Sequence, residues 1–188
     1  MTSPASISHG EHLIVVVGPS GAGKDSVLRG WKRLAGDALH VARRTITRPT
    51  DVNEDHESVT GAGFEQLLAD DQLATWWHAN GLSYGIRRSE LAPLARGLWV
   101  AMNGSRAHLP VLRAQAPRLH CVEITAPPEL LRKRIAERGR EGSEDMHFRL
   151  SRVLPVKADL TLSNEGALDD TVQALHAWWL SLPNPTPD

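Results

Sequence analysis

Gly18-Pro19-Ser20-Gly21-Ala22-Gly23-Lys24-Asp25 is the stretch on which the fold turns. From Gly18 to Lys24 it fits the spacing G-x-x-x-x-G-K. Backbone N–H groups that converge on an anion need dihedrals and close approaches that glycine permits. A helix opening at the lysine adds the positive end of its dipole. The lysine itself can reach the β- and γ-phosphates of a nucleotide such as ATP and neutralise charge as it moves. The flanks supply the context this loop requires. His12 to Val17 is a short apolar run ended by Gly18, the pattern of a central parallel strand buried on both faces. Lys24 to Leu34 then carries Val27, Leu28, Trp31 and Leu34 at helical spacing.

One position departs from the pattern. Ser or Thr usually follows the lysine, and its hydroxyl binds Mg²⁺. Here Asp25 stands in that place and Ser26 follows. Two readings stay open. Asp25 binds the metal as a hard oxygen ligand, directly or through water. Alternatively Ser26 or waters bind it, and Asp25 is only a charge at the helix N-terminus.

Outward from the loop, strands and helices alternate. A strand is expected at Leu39 to Arg43, a loop over Thr45 to Ser58, and a short helix at Phe64 to Ala69. Leu73 to Gly85 suits an antiparallel pair around Asn80-Gly81. Helices follow at Ser89 to Arg96, Ser105 to Gln115, Pro127 to Arg138, Met146 to Val153 and Leu168 to Leu182. Strands fall between them at Leu98 to Met102, Leu119 to Thr125 and Leu160 to Leu162. This order predicts an α/β fold, a parallel sheet wrapped by helices on both faces. Residues 1–11 read as a flexible leader and 183–188 as a Pro-rich tail, leaving one domain over 12–182.

Composition narrows the classes. Of 188 residues, 41% are hydrophobic, enough for one sizeable core. A net charge of −1 gives no basic footprint for nucleic acid or a membrane surface. No apolar run approaches the roughly 20 residues of a membrane span. The single Cys121 excludes an intramolecular disulfide and suits a cytoplasmic protein. Trp178-Trp179 suit core packing, and an oligomer contact, such as a homodimer, stays open.

A longer set of strings carries a resemblance. The loop, Thr45-Ile46-Thr47-Arg48-Pro49, Tyr84-Gly85, the run from Leu130 to Arg140, Arg149-Leu150 and Asp159 to Asn164 stand in the order seen in guanylate kinases. The chain resembles that P-loop family from about His12 to Trp178. The resemblance implies a nucleoside-monophosphate-kinase-like α/β/α fold. It also implies an inserted acceptor-binding subdomain at about 45–86 and a lid near 138–145. Several groups of the GMP site are replaced together: Asp51 stands for an arginine that holds the GMP phosphate, Thr75 for a guanine-reading Glu, and Ile86 and Asn103 for further polar or acidic residues. Thr-Arg-Pro, Glu54-Asp55-His56-Glu57, His78 to Ile86 and Asn103-Gly104-Ser105-Arg106 are instead similar to another branch, the ribose 1,5-bisphosphate phosphokinases. That branch also suits Asp25.

This second resemblance implies ATP, with Mg²⁺, and ribose 1,5-bisphosphate as small-molecule substrates. The expected nucleotide site is Gly18, Pro19, Ser20, Gly21, Ala22, Gly23, Lys24, Asp25 and Ser26. Lys24, Arg138 and Arg140, with Arg134 as a further candidate, would act on the transferring group. Arg48, Tyr84, Asn103 and Arg106 would hold the acceptor, with Arg43 and Arg44 as weaker candidates. Glu54 to Glu57 form either a metal or sugar site or a solvated loop. A GMP-type kinase and a non-catalytic binding module are the competing classes. The complete loop disfavours the module, and the replaced GMP-site residues disfavour the GMP kinase.

Overall fold

The computed structural model describes residues 6–49, 55–137 and 156–183. The apolar run beside the loop forms β1 (Leu13–Val17), and all five residues are buried. Their alternation serves two cores. Leu13, Val15 and Val17 join one hydrophobic cluster, and Ile14 and Val16 join the other. Such period-two sharing is what a central strand of a covered sheet requires.

β1 lies in the middle of a five-stranded parallel sheet. Its companions are β2 (Leu39–Ala42), β7 (Trp99–Asn103), β8 (His120–Thr125) and β9 (Leu160–Ser163), in the order β2-β7-β1-β8-β9. Two helices cover one face: α1 (Lys24–Ala35) and the last helix, α6 (Leu168–Ser181). Trp31 and Trp179 meet edge-on between them, with ring centroids 5.7 Å apart. Leu109 and Leu112 of α4 (Leu109–Gln115) help cover the other face. α5 (Pro128–Glu137) follows β8.

A second sheet leaves the core after β2. It has the order β4-β3-β6-β5, from β3 (Arg44–Ile46), β4 (His56–Ser58), β5 (Leu73–Ala79) and β6 (Leu82–Arg87). β5 and β6 form the hairpin expected around Asn80-Gly81, with positive φ of 54° and 71° there. α2 (Gly61–Ala69) packs Phe64 and Leu67 beneath it, and Thr60 caps its N-terminus by accepting from the Gly63 N–H at 3.0 Å.

The structure corrects three expectations. The loop expected over Thr45 to Ser58 contains most of β3 and all of β4, which pair in parallel. Glu57 explains this: it accepts from Thr45 and takes both arms of Arg87 at 2.6 Å, locking three strands. The helix expected at Ser89 to Arg96 is one turn, α3 (Arg88–Leu91), then a 3₁₀ stretch containing Pro93. Proline lacks the N–H that a continuing helix needs. The helix expected from Ser105 starts only at Leu109, with Pro110 in its first turn. The helix expected at Met146 to Val153, the lid and the tail residues 184–188 lie outside the described residues. Among the described residues, no helix is long and apolar enough to cross a membrane.

Candidate active site

The site forms at the carboxyl end of β1, where open parallel sheets bind ligands. Gly18 has φ 147°, and a Cβ there would lie 2.0 Å from the Ile124 carbonyl oxygen of β8. The loop can pass that close only without a side chain. Gly21 and Gly23 have φ of 82° and 88°. The Lys24 ammonium folds back over the loop and donates to the carbonyls of Gly18 and Pro19, both at 3.0 Å. Asn164 clamps the loop from below. Its side chain is buried and donates to the Ala22 carbonyl at 2.8 Å.

A cleft of about 240 Å³ runs from this loop to the second sheet. Lys24, Arg44 and Arg106 bring positive charge to its walls, and Trp77, Tyr84 and Asn103 also line it. Arg106 is steadied by Glu123 at 4.0 Å. The Trp77 ring stacks on two others. The Tyr84 ring centroid is 5.5 Å from it and that of His108 5.2 Å. His108 is buried and hydrogen-bonded to the Thr75 hydroxyl at 2.6 Å. Burial pushes its pKa down to about 4, so the ring is neutral near pH 7.

A second cavity of about 340 Å³ lies on the other flank of the loop, lined by Gly21, Ser26, Arg134 and Asn164 among others. Arg134 donates to the Gly21 carbonyl at 3.4 Å. A third, of about 370 Å³, lies along α1 and β2 and includes Asp25 and Arg44.

The structure brings some expected site residues together and separates others. Gly18, Pro19, Ser20, Lys24, Tyr84, Asn103 and Arg106 share the cleft. Asp25 and Ser26 face different cavities. Arg48 lies outside the cleft lining, and its carbonyl is 3.3 Å from His56 Nε2. Arg138 and Arg140 lie outside the described residues. His56 and Glu57 belong to a strand, and no group of three metal-capable side chains occurs among the described residues. Cys121 is buried and its thiol is pushed up to about 11 by burial, which suits a structural role.

No protein-family model matches the chain. Curated relatives do. Ribose 1,5-bisphosphate phosphokinase PhnN of Methylobacterium radiotolerans is 42% identical over 167 residues, covering 88% of this chain and 95% of that protein. The protein of the same description from Pseudomonas paraeruginosa is 43% identical over 173 residues, covering 88% and 94%. The chain belongs to the ribose 1,5-bisphosphate phosphokinase family. Among solved structures, the guanylate kinase of Anaplasma phagocytophilum superposes with a TM-score of 0.66 at 17% identity, over 96% of this chain and 87% of that one. That likeness shows the shared P-loop kinase fold.

For a ribose 1,5-bisphosphate phosphokinase, the residues that sequence reasoning underweighted are informative. Arg44 lines the cleft and pairs with Asp25 at 2.9 Å. Trp77 forms a wall, and His108 supports it from the core. Asn164 holds the loop. The one available signal was adjacency: Arg44 directly precedes the Thr45 to Pro49 string, and Asn164 ends the last matching one.

Proposed function

We propose that the chain transfers the γ-phosphoryl group of ATP to α-D-ribose 1,5-bisphosphate, giving ADP and 5-phospho-α-D-ribose 1-diphosphate. An oxygen of the acceptor's C1 phosphate forms the new bond to the γ-phosphorus. The bond between that phosphorus and the oxygen bridging to the β-phosphate breaks, and its electrons leave with ADP. The attacking oxygen is already anionic near neutral pH, so no general base is needed. Catalysis is then positioning and charge neutralisation.

The observation that carries this reading is the cleft itself. It joins a complete phosphate loop to a wall bearing Arg44 and Arg106, without a polar base-reading side chain from Thr75 or Ile86. Thr75 turns its hydroxyl to His108, and Ile86 is fully buried. In this reading Lys24 and the loop amides hold the β- and γ-phosphates. Arg106, Tyr84, Asn103 and Arg48 serve the acceptor. Arg138 and Arg140, from a lid over about 138–145, stabilise the transferring group. The nucleotide extends past Ser26 toward the cavity lined by Arg134 and Asn164. One domain over 12–182, with an acceptor insert at 45–86, houses all of these.

Mg²⁺ accompanies ATP. When bound, it neutralises charge on the β- and γ-phosphates. The donor chemistry fits: Ser26, in the cavity shared with Arg134 and Asn164, offers a hard hydroxyl oxygen, and Asp25 is a carboxylate whose Oδ1 already accepts from Arg44 and Asn103. Mg²⁺ commonly takes one or two protein oxygens and fills its shell with phosphate and water.

The test is an assay with ATP, Mg²⁺ and either ribose 1,5-bisphosphate or GMP, following ADP and 5-phosphoribosyl diphosphate. Turnover of the sugar bisphosphate is the expected result. Turnover of GMP alone would falsify the reading, and no turnover with either acceptor would favour a binding module.

A further inference from the structure

Oδ1 of Asp25 is the meeting point of three elements. Asp25 stands in the first turn of α1. Its Oδ1 accepts from Arg44 Nη2 of β3 at 2.9 Å and from Asn103 Nδ2 of β7 at 2.7 Å. The Arg44 side chain is only 13% exposed and that of Asp25 32%. An ion pair this sheltered is screened less by salt than one on the surface. The pair therefore ties the second sheet to the helix of the phosphate loop. It also holds a guanidinium in the wall of the cleft, which Lys24 and Arg106 line as well.

We propose that Asp25 is a positioning residue for Arg44 rather than the metal ligand, and that Arg44 contacts a phosphate of the acceptor. The inference rests on the sugar-bisphosphate reading above and deepens it. A cation such as Mg²⁺ would compete with the guanidinium for charge on an oxygen that already accepts two short hydrogen bonds. Ser26, phosphate and water are left to bind the metal. Arg44 has five N–H donors in a planar fork, so it can hold Asp25 with one edge and offer another to phosphate. An acceptor with two phosphates satisfies that edge. An acceptor placing a neutral group there leaves a desolvated donor unpaired, and this is how the pair discriminates.

The experiment separates metal from acceptor. Calorimetric titration with ribose 1,5-bisphosphate in EDTA reads acceptor affinity where no metal contributes. Steady-state kinetics give acceptor KM, ATP KM and the Mg²⁺ half-saturation concentration separately. Arg44→Ala and Asp25→Asn are each expected to weaken metal-free acceptor binding at least about tenfold. The double substitution is expected to cost little more than the worse single one, because the two act as a unit. Arg44→Lys is expected to recover little, since a point charge lacks the fork. Mg²⁺ half-saturation is expected to stay unchanged in Asp25→Asn.

If Asp25→Asn instead keeps metal-free affinity and shifts the Mg²⁺ requirement, Asp25 is a metal ligand and the proposal falls. If Arg44→Ala or Arg44→Lys binds the acceptor as tightly as the unaltered protein, Arg44 is outside the site and the proposal falls. An unchanged ATP KM and circular dichroism spectrum exclude misfolding, and the near-isosteric Asp25→Asn carries the test if Arg44→Ala does not fold. Failure of the unaltered protein to bind or turn over ribose 1,5-bisphosphate is a different result. It removes the functional reading itself.

Discussion

Gly18 has no room for a side chain, because the Ile124 carbonyl oxygen occupies the place a Cβ would take. Gly18→Ala is therefore expected to lower stability by about 2–4 kcal/mol, read as a reduced urea midpoint. Lys24 differs in kind. It makes its two bonds to the loop at the surface of the cleft, so Lys24→Ala should leave the fold intact. The loss should appear in turnover, at roughly 10²- to 10³-fold in kcat, with an unchanged circular dichroism spectrum. Both positions are legible in the sequence because a loop motif is local: all its parts lie within eight residues. Arg44 is not legible in the same way. Its partner Asp25 is 19 positions away, and only the departure of β3 from the core brings the two together. Asp25 itself stands out as a departure from the motif, but the motif cannot say what the carboxylate binds.

At the scale of elements, the contact between β5 and the segment before α4 supports the cleft wall. Thr75, on β5, bonds His108, and His108 stacks under Trp77. The folded pKa of His108 is about 4, against 6.5 for the free group. Between those two values the unfolded chain binds more protons than the folded one. Stability contributed by the neutral ring is thus complete above about pH 6.5 and drains away as pH falls toward 4. His108→Gln, which keeps a partner for Thr75, should remove about 2 kcal/mol of this acid sensitivity. Urea unfolding at pH 7 and pH 4.5 measures it. The alternation of strands and helices is legible because apolar periodicity records burial directly. β4 is not, because a three-residue strand of His56, Glu57 and Ser58 has no apolar pattern. It is held by Glu57, whose carboxyl is kept below its usual range mainly by its bonds to Arg87.

For the whole molecule, the decisive fact is that the two sheets share a core. Ala74, Trp77 and Ile86 of the second sheet belong to the same buried cluster as Val15, Val17 and Met102 of the first. Phe64, Leu67 and Leu73 form a smaller separate cluster, with Phe64 and Leu67 contributed by α2. The second sheet is thus packed as part of the main body. Differential scanning calorimetry is expected to show one transition, with a calorimetric to van't Hoff enthalpy ratio near one. Two resolved transitions would mean the sheets melt separately. The family resemblance is legible over most of the chain, but this shared core is not, because it depends on contacts distant in sequence. Trp77 is both a member of that core and a wall of the cleft, and this has a practical side. Its indole emits light according to what its faces and edges meet. Stacked on a phenol and an uncharged imidazole, and lining a cleft with Lys24, Arg44 and Arg106, it makes the cleft fluorescent from within. The difference in emission between the unaltered protein and Trp77→Phe isolates that signal from the other tryptophans, so occupancy of the cleft can be followed without attaching a dye.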